Sequence, residues 1–167
     1  MTTNARQEAE TRETTIEADP NLPTIRIIRD FDAPREKVFR AWIEPELVAQ
    51  WLGPKSTEMR IDEWNARTGG NYRYAAVQDG EEVAAFYGSF HEVRPSERLV
   101  QTFTFEGFPD GVSMDTHTFD ELPGGRTRLT VVSVVDSFEA RDAMLASGME
   151  VGVHEGYEKL DEILAEG

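Results

Sequence analysis

The chain has 167 residues, of which 39% are hydrophobic and 10% aromatic, so it fits one domain with a core large enough to fold without cross-links. Its formal net charge of −15 repels phosphate backbones and anionic lipid, and we expect neither nucleic acid nor membrane as a partner. Cysteine is absent, and no apolar run approaches the roughly 20 residues of a membrane-spanning helix. No secretory leader pattern opens the chain, and these features together predict a cytoplasmic protein.

The hydrophobic pattern divides the chain at Thr24. Residues 1–23 are polar and acidic without a hydrophobic period, which predicts a disordered N-terminal tail. From Thr24 onward, apolar residues such as Ile25 and Phe31 alternate with polar ones, as in a half-buried strand. We therefore expect one folded domain over residues 24–167.

Helix and turn signals predict the order of elements within that domain. Pro34 and Pro45 mark the starts of two short helices. Turn-forming residues then separate six strands at about 58–64, 71–78, 83–93, 98–106, 112–121 and 127–135. Asp136 and Ser137 offer caps for a helical stretch, and Ser147 to Glu150 reads as a capping box for a longer one. The long helix carries one apolar stripe, formed by Met149, Val153, Tyr157, Leu160 and Leu164.

Together these elements predict an α+β fold of the helix-grip type. Short connections imply a curved antiparallel sheet of about six or seven strands, and the long C-terminal helix would lie in its grip. Two short helices would follow the first strand. The two inner faces should then enclose a space between sheet and helix.

Ordered motifs carry a family resemblance over roughly residues 24–165. They are Arg29-Asp30-Phe31-Asp32-Ala33-Pro34, Trp51-Leu52-Gly53-Pro54, Gly69-Gly70-Asn71-Tyr72, Gly88-Ser89-Phe90-His91-Glu92-Val93 and Gly125-Arg126-Thr127-Arg128-Leu129-Thr130. By these motifs the chain resembles the START-like (SRPBCC, Bet v allergen-like) superfamily, in the bacterial branch similar to the activator of the heat-shock-protein-90 ATPase. The resemblance implies a small-molecule cavity. We expect no cofactor. Val153 stands where such relatives often have tryptophan, which implies a larger pocket.

Strand alternation and the helix stripe together assign candidate residues to this cavity. Inward faces include the positions of Leu99 and Leu129 and their period-two neighbours. The candidate ligand-binding residues are Trp51, Tyr72, Tyr74, Gln101, Phe103, Phe105, Asp115, His117, Phe119, Met149, Val153 and Tyr157. Gln101, Asp115 and His117 would be the few polar groups of a mostly apolar pocket, or His117 would simply hydrogen-bond a neighbour. Trp51 either packs in the core or guards the cavity mouth.

Three functions remain open at this point. The first is a binding module for a hydrophobic, aromatic or lipid-like small molecule. The second is a cavity enzyme for an aromatic or polyketide-like substrate, with Asp115 and His117 as an acid–base pair, and the third is a chaperone partner of the heat-shock ATPase type. We expect no metal site, because His91, His117 and His154 lack a local ligand spacing. A monomer or a homodimer fits the sequence equally.

Overall fold

The computed structural model describes residues 14–166 and has the predicted α+β helix-grip fold. Its strands are β1 (Thr15–Ala18), β2 (Thr24–Phe31), β3 (Glu58–Trp64), β4 (Asn71–Gln78), β5 (Glu81–Arg94), β6 (Arg98–Phe105), β7 (Ser113–Leu122) and β8 (Arg126–Val134). Its helices are α1 (Arg35–Ile43), α2 (Pro45–Trp51), α3 (Phe138–Ala146) and α4 (Met149–Ala165).

The strands form one antiparallel sheet in the order β1-β2-β8-β7-β6-β5-β4-β3. Between β3 and β8 each strand pairs with the next one in the chain, as short turns require. Strand β2 pairs with β8 on one side, and β1 lies at the edge of the sheet on the other side of β2. The long helix α4 contacts this sheet through the pairs Phe31–Tyr157 and Arg29–Asp161. Helices α1 and α2 pack against α4 and against strands β3, β7 and β8.

The sheet has eight strands rather than six or seven, because β1 lies within the predicted tail. Thr15–Ala18 pairs with β2, and Ile16 lies opposite Ile27 and packs partly buried against the core. The prediction of disorder is therefore wrong for these residues, whereas residues 1–13 lie outside the described part of the chain. One isoleucine in an acidic run is too short a pattern to reveal a strand.

A buried arginine fastens the segment that follows β1. Arg141 on α3 is 7% exposed, and its Nη1 donates hydrogen bonds to the carbonyl oxygens of Asp19, Leu22 and Thr24 at 2.9–3.1 Å. Three carbonyl acceptors compensate part of the cost of removing a guanidinium from water. These hydrogen bonds therefore attach the turn between β1 and β2 to helix α3.

The two predicted caps of the C-terminal helices have different outcomes. Ser137 caps α3 as expected, since its Oγ accepts a hydrogen bond from the backbone N–H of Ala140 at 3.0 Å. The predicted capping box of α4 is wrong: the Oγ of Ser147 donates to the carbonyl of Met144, in the last turn of α3. Gly148, with a φ of 86°, occupies the N-cap position of α4 instead. Helices α3 and α4 are so close in the chain that the Ser147 side chain hydrogen-bonds to the last turn of α3 and does not cap α4.

Candidate functional site

The interface between the sheet and α4 has two ends that differ in exposure. At what we call the sealed end, the inward-facing side chains of Leu99, Leu129 and Leu160 are fully buried. Towards the other end of the same strands and helix, which we call the open end, inward-facing residues keep part of their surface accessible. These residues are Phe86, Gln101, Phe103, Phe105, Asp115, Met149 and Val153.

The sealed end is filled by aromatic side chains. The rings of Trp42 and Trp51 lie 4.7 Å apart, and Tyr157 packs against both. The Nε1 of Trp51 donates to the carbonyl of Ala41 at 2.8 Å, so this indole is fixed between α1 and α2. Among the candidate residues Trp51, Phe119 and Tyr157 therefore lie in the packed core, and Trp51 does not guard an entrance.

A row of stacked rings leads from the core to the open end. Tyr72 stacks on Tyr74, Tyr74 on Phe86, and Phe86 on Phe103, with centroid distances of 6.1, 5.0 and 5.3 Å. These four side chains, which we call the aromatic row, come from β4, β5 and β6. They present a continuous apolar wall, and Phe105, 43% exposed, lies beside Phe86 at its outer limit.

A glycine in β5 allows Tyr72 to be anchored across a strand. The Tyr72 hydroxyl donates to the carbonyl of Thr102 in β6 at 2.5 Å and accepts from Nε2 of Gln101 at 3.2 Å. A Cβ at Gly88 would lie 2.0 Å from that carbonyl oxygen and 2.7 Å from the tyrosine hydroxyl. Only glycine leaves room for this hydrogen bond, which orients both Tyr72 and Gln101.

Three polar side chains form a row across the inner face of the sheet. Asp115 in β7 lies opposite Gln101 in β6 on one side and Ser133 in β8 on the other. The Oγ of Ser113 donates to the Asp115 carboxylate at 3.0 Å, and Ser133 forms a second hydrogen bond with it. Burial raises the pKa of Asp115 to about 6, because desolvation outweighs these two hydroxyl groups.

His117 lies two residues further along β7, towards the sealed end. It is 7% exposed, and burial lowers its pKa to about 4, so the imidazole is neutral at physiological pH. Its Nδ1 has no hydrogen-bond partner among the described residues. The hydrogen bonds of residues 14–166 include none between His117 and Asp115, so these two side chains do not form a directly coupled acid–base pair in this structure.

Two surface grooves lie away from this interior. One, of about 400 Å³, is lined by Ala49, Gln50, Lys55, Thr57, Glu58, Met59 and Lys159. The other, of about 380 Å³, is lined by residues 55–58 and 77–80. Neither is lined by a candidate ligand-binding residue. Within the described chain, no group of three or more histidine or acidic residues could hold a metal ion, and no helix is long and apolar enough to cross a membrane.

Sequence reasoning missed two contributors to the open end. Phe86 belongs to the aromatic row, and its period-two relation to Phe90 was the signal that would have placed it on the inner face. Ser133 was assigned to an inward face but not to the site. Its contact with Asp115 depends on the register of β7 and β8, which alternation alone does not determine.

The comparisons with known proteins agree with this architecture. A family model described as Activator of Hsp90 ATPase homolog 1-like protein matches residues 32–165. Among solved structures, protein Ms6760 from Mycobacterium smegmatis is similar with a TM-score of 0.82 and 27% identity, over 93% of this chain and 99% of that one. Protein CV1439 from Chromobacterium violaceum is similar with a TM-score of 0.75 and 30% identity, over 87% of this chain and 99% of that one.

A third similar structure is a protein from Arthrobacter aurescens, with a TM-score of 0.82 and 27% identity over 92% of both chains. A search of curated proteins found no significant match. The family match covers most of the chain, and the resemblance predicted from the motifs is confirmed. The chain belongs to the family of Activator of Hsp90 ATPase homolog 1-like proteins.

Proposed function

We propose that this protein binds a hydrophobic, aromatic or lipid-like small molecule at the open end, between α4 and the aromatic row. The observation that supports this most is the change of exposure along single elements. On β6, Leu99 is fully buried, whereas Phe103 is partly exposed and Phe105 is 43% exposed on the same face. An apolar wall that water reaches, with a few polar groups at its inner limit, is typical of small-molecule sites.

The helix α4 shows the same change. Leu160 is fully buried, whereas Val153 and Met149, two and three turns earlier on the same stripe, keep accessible surface. Covering such surface with an apolar ligand is favourable by roughly 25 cal/mol per Å². The ligand would thus complete the packing that the protein leaves unfinished at this end.

Val153 offers a direct test with Nile red, a neutral dye that fluoresces in apolar surroundings. Val153→Trp should keep the fold and reduce dye binding, because the larger ring occupies the proposed site. Val151→Trp is the matched control, since Val151 lies on the same helix and is 57% exposed. It should leave dye binding unchanged.

Two results would contradict the proposal. One is a wild-type protein that gives no fluorescence increase with Nile red. The other is a Val153→Trp variant that binds the dye as well as wild type does. A loss of about 1–3 kcal/mol of stability in Val153→Trp, caused by overpacking, would indicate that the interior is already packed around Val153.

A protein-interaction role is the second candidate, and the exposed turn between β6 and β7 favours it. Phe105 at the end of β6 is 43% exposed, and Phe108 and Val112 in the turn are 66% and 53% exposed. Exposed apolar clusters often mark sites of protein contact. If a heat-shock ATPase is the partner, the wild-type protein should raise that enzyme's ATP turnover and Phe108→Ser should abolish the effect. An unchanged turnover in the presence of wild type would contradict this candidate.

A further inference from the structure

The Asp115 carboxylate has no positively charged partner within the described part of the chain. Its two hydrogen-bond donors, Ser113 and Ser133, are neutral hydroxyl groups. The two buried arginines of the described chain have other partners: Arg29 pairs with Asp161 at 2.5–2.9 Å, and Arg141 binds three backbone carbonyls. A carboxylate accepts about four hydrogen bonds, so Asp115 retains acceptor capacity.

Three tyrosines lie within the electrostatic reach of this carboxylate. Burial is the main cause that raises the pKa of the Tyr72, Tyr74 and Tyr157 phenols. The negative charge of Asp115 adds to this shift in all three, whereas the positive charge of Arg29 opposes it at Tyr157. Tyr72 and Tyr74 also begin the aromatic row. Electron-rich ring faces beside a carboxylate attract a cation and repel an anion.

The polar groups and the apolar wall therefore select a particular ligand chemistry. We propose that the ligand is an apolar or aromatic primary amine, whose ammonium group pairs with Asp115 while its body lies along the aromatic row. This inference rests on the proposed function, because it assigns a head group to the ligand of the same site. Gln101, anchored through the Tyr72 hydroxyl, lies opposite Asp115 and provides a neutral polar group beside the ammonium.

Three probes with one body and different head groups test the assignment: 4-phenylbutylamine, 4-phenylbutanol and 4-phenylbutyrate. By calorimetry, wild type should bind the amine at least about tenfold more tightly than the carboxylate, with the alcohol between them, because a charge-assisted hydrogen bond exceeds a neutral one. Asp115→Asn should lose about tenfold in affinity for the amine and should bind the amine and the alcohol equally well.

Asp120→Asn is the matched control for non-specific attraction by an acidic protein. Asp120 lies on the same strand but is exposed on the opposite face, and its replacement changes the net charge equally. The preference for the amine should survive in this variant. Equal affinities of wild type for the three probes would overturn the inference. An amine preference that persists in Asp115→Asn would overturn it as well. In either case, Nile red binding would still support the proposed function. If Nile red and all three probes fail to bind wild type, both proposals fail.

The pH dependence of wild type gives a second test that needs no variant. Between pH 8 and pH 5 the carboxyl of Asp115, with a pKa of about 6, becomes mostly protonated, so affinity for the amine should fall about tenfold. His117 on the same strand has a pKa of about 4 and the facing phenols of Tyr72, Tyr74 and Tyr157 have raised pKa values, so these groups stay neutral over this range. Affinity for 4-phenylbutanol should not change. A constant affinity for the amine would overturn the inference.

Discussion

The sealed and open ends of the interior are built from the same strands and the same helix, yet they have different tasks. At the sealed end, Trp42, Trp51 and Tyr157 lock α4 to the two short helices. At the open end, Met149 and Val153 of α4 remain partly accessible, and the sheet opposite carries Asp115 on its inner face. The packing at the sealed end positions the helix. The side chains at the open end therefore need not contribute to the stability of the fold.

The largest expected effect tests whether the sealed end holds the fold together. Leu160→Ala should cost about 2–5 kcal/mol in free energy of unfolding, because it removes a fully buried side chain from a packed region. Met149→Ala, the same kind of truncation at the open end, should cost less than half as much. Chemical denaturation of the two variants measures the difference. Equal losses would show that both ends are packed alike.

Asp115 provides a test in which the substitution should raise the free energy of unfolding instead of lowering it. Its folded-state pKa of about 6 lies above the usual value of 3.8, so the folded protein binds this proton more tightly than the unfolded chain does. The stability that protonation contributes is complete below pH 3.8 and is lost as the pH rises through 6. Asp115→Asn should therefore be more stable than wild type at pH 8, by about 1–3 kcal/mol, with little advantage at pH 4.

Thermal unfolding of wild type, Asp115→Asn and Asp120→Asn at both pH values measures this effect. Asp120→Asn, a substitution at an exposed position, should be no more stable than wild type at pH 8. A less stable Asp115→Asn at pH 8 would mean that the carboxylate supports the fold, and the division between the two ends would break down at this position.

Two glycines of α4 sharpen the comparison along a single helix. A Cβ at Gly156 would lie 2.9 Å from the backbone carbonyl oxygen of Trp51, so Gly156→Ala should cost about 1–3 kcal/mol as the helix is pushed from α2. At Gly152 the nearest atom would be 3.6 Å away, on Pro54. Gly152→Ala should instead stabilise the protein by about 0.5–1 kcal/mol through helix propensity. Melting temperatures of both variants should move in opposite directions; a shift in the same direction would contradict the difference in packing.

The fold was largely predictable from the sequence, and particular residues show why parts of the site were not. The bounds of β3 and β4 agree with the alternation and turn signals, because period-two patterns and glycine turns act locally. The inner face of β7 was also predictable, since burial of Phe119 places His117 and Asp115 on the same side. The role of Gly88 depends on a tyrosine from one neighbouring strand and a carbonyl from the other, and no local pattern encodes that contact.

A small effect is expected at β1, which borders neither end of the interior directly. If residues 1–23 were a disordered tail, removing residues 1–21 would leave stability unchanged, but the pairing of β1 with β2 leads to a different expectation. Thr15–Ala18 forms a ladder with β2, and Asp19 supplies one of the carbonyls that satisfy the buried Arg141. Deleting residues 1–21 should cost about 1–2 kcal/mol, since ladder hydrogen bonds are lost and a buried donor loses an acceptor. Deleting residues 1–13 is the control, and the difference between the two melting temperatures isolates residues 14–21. If both truncations melt together, β1 contributes nothing to stability, and the sheet that positions Asp115 and the aromatic row is complete without it.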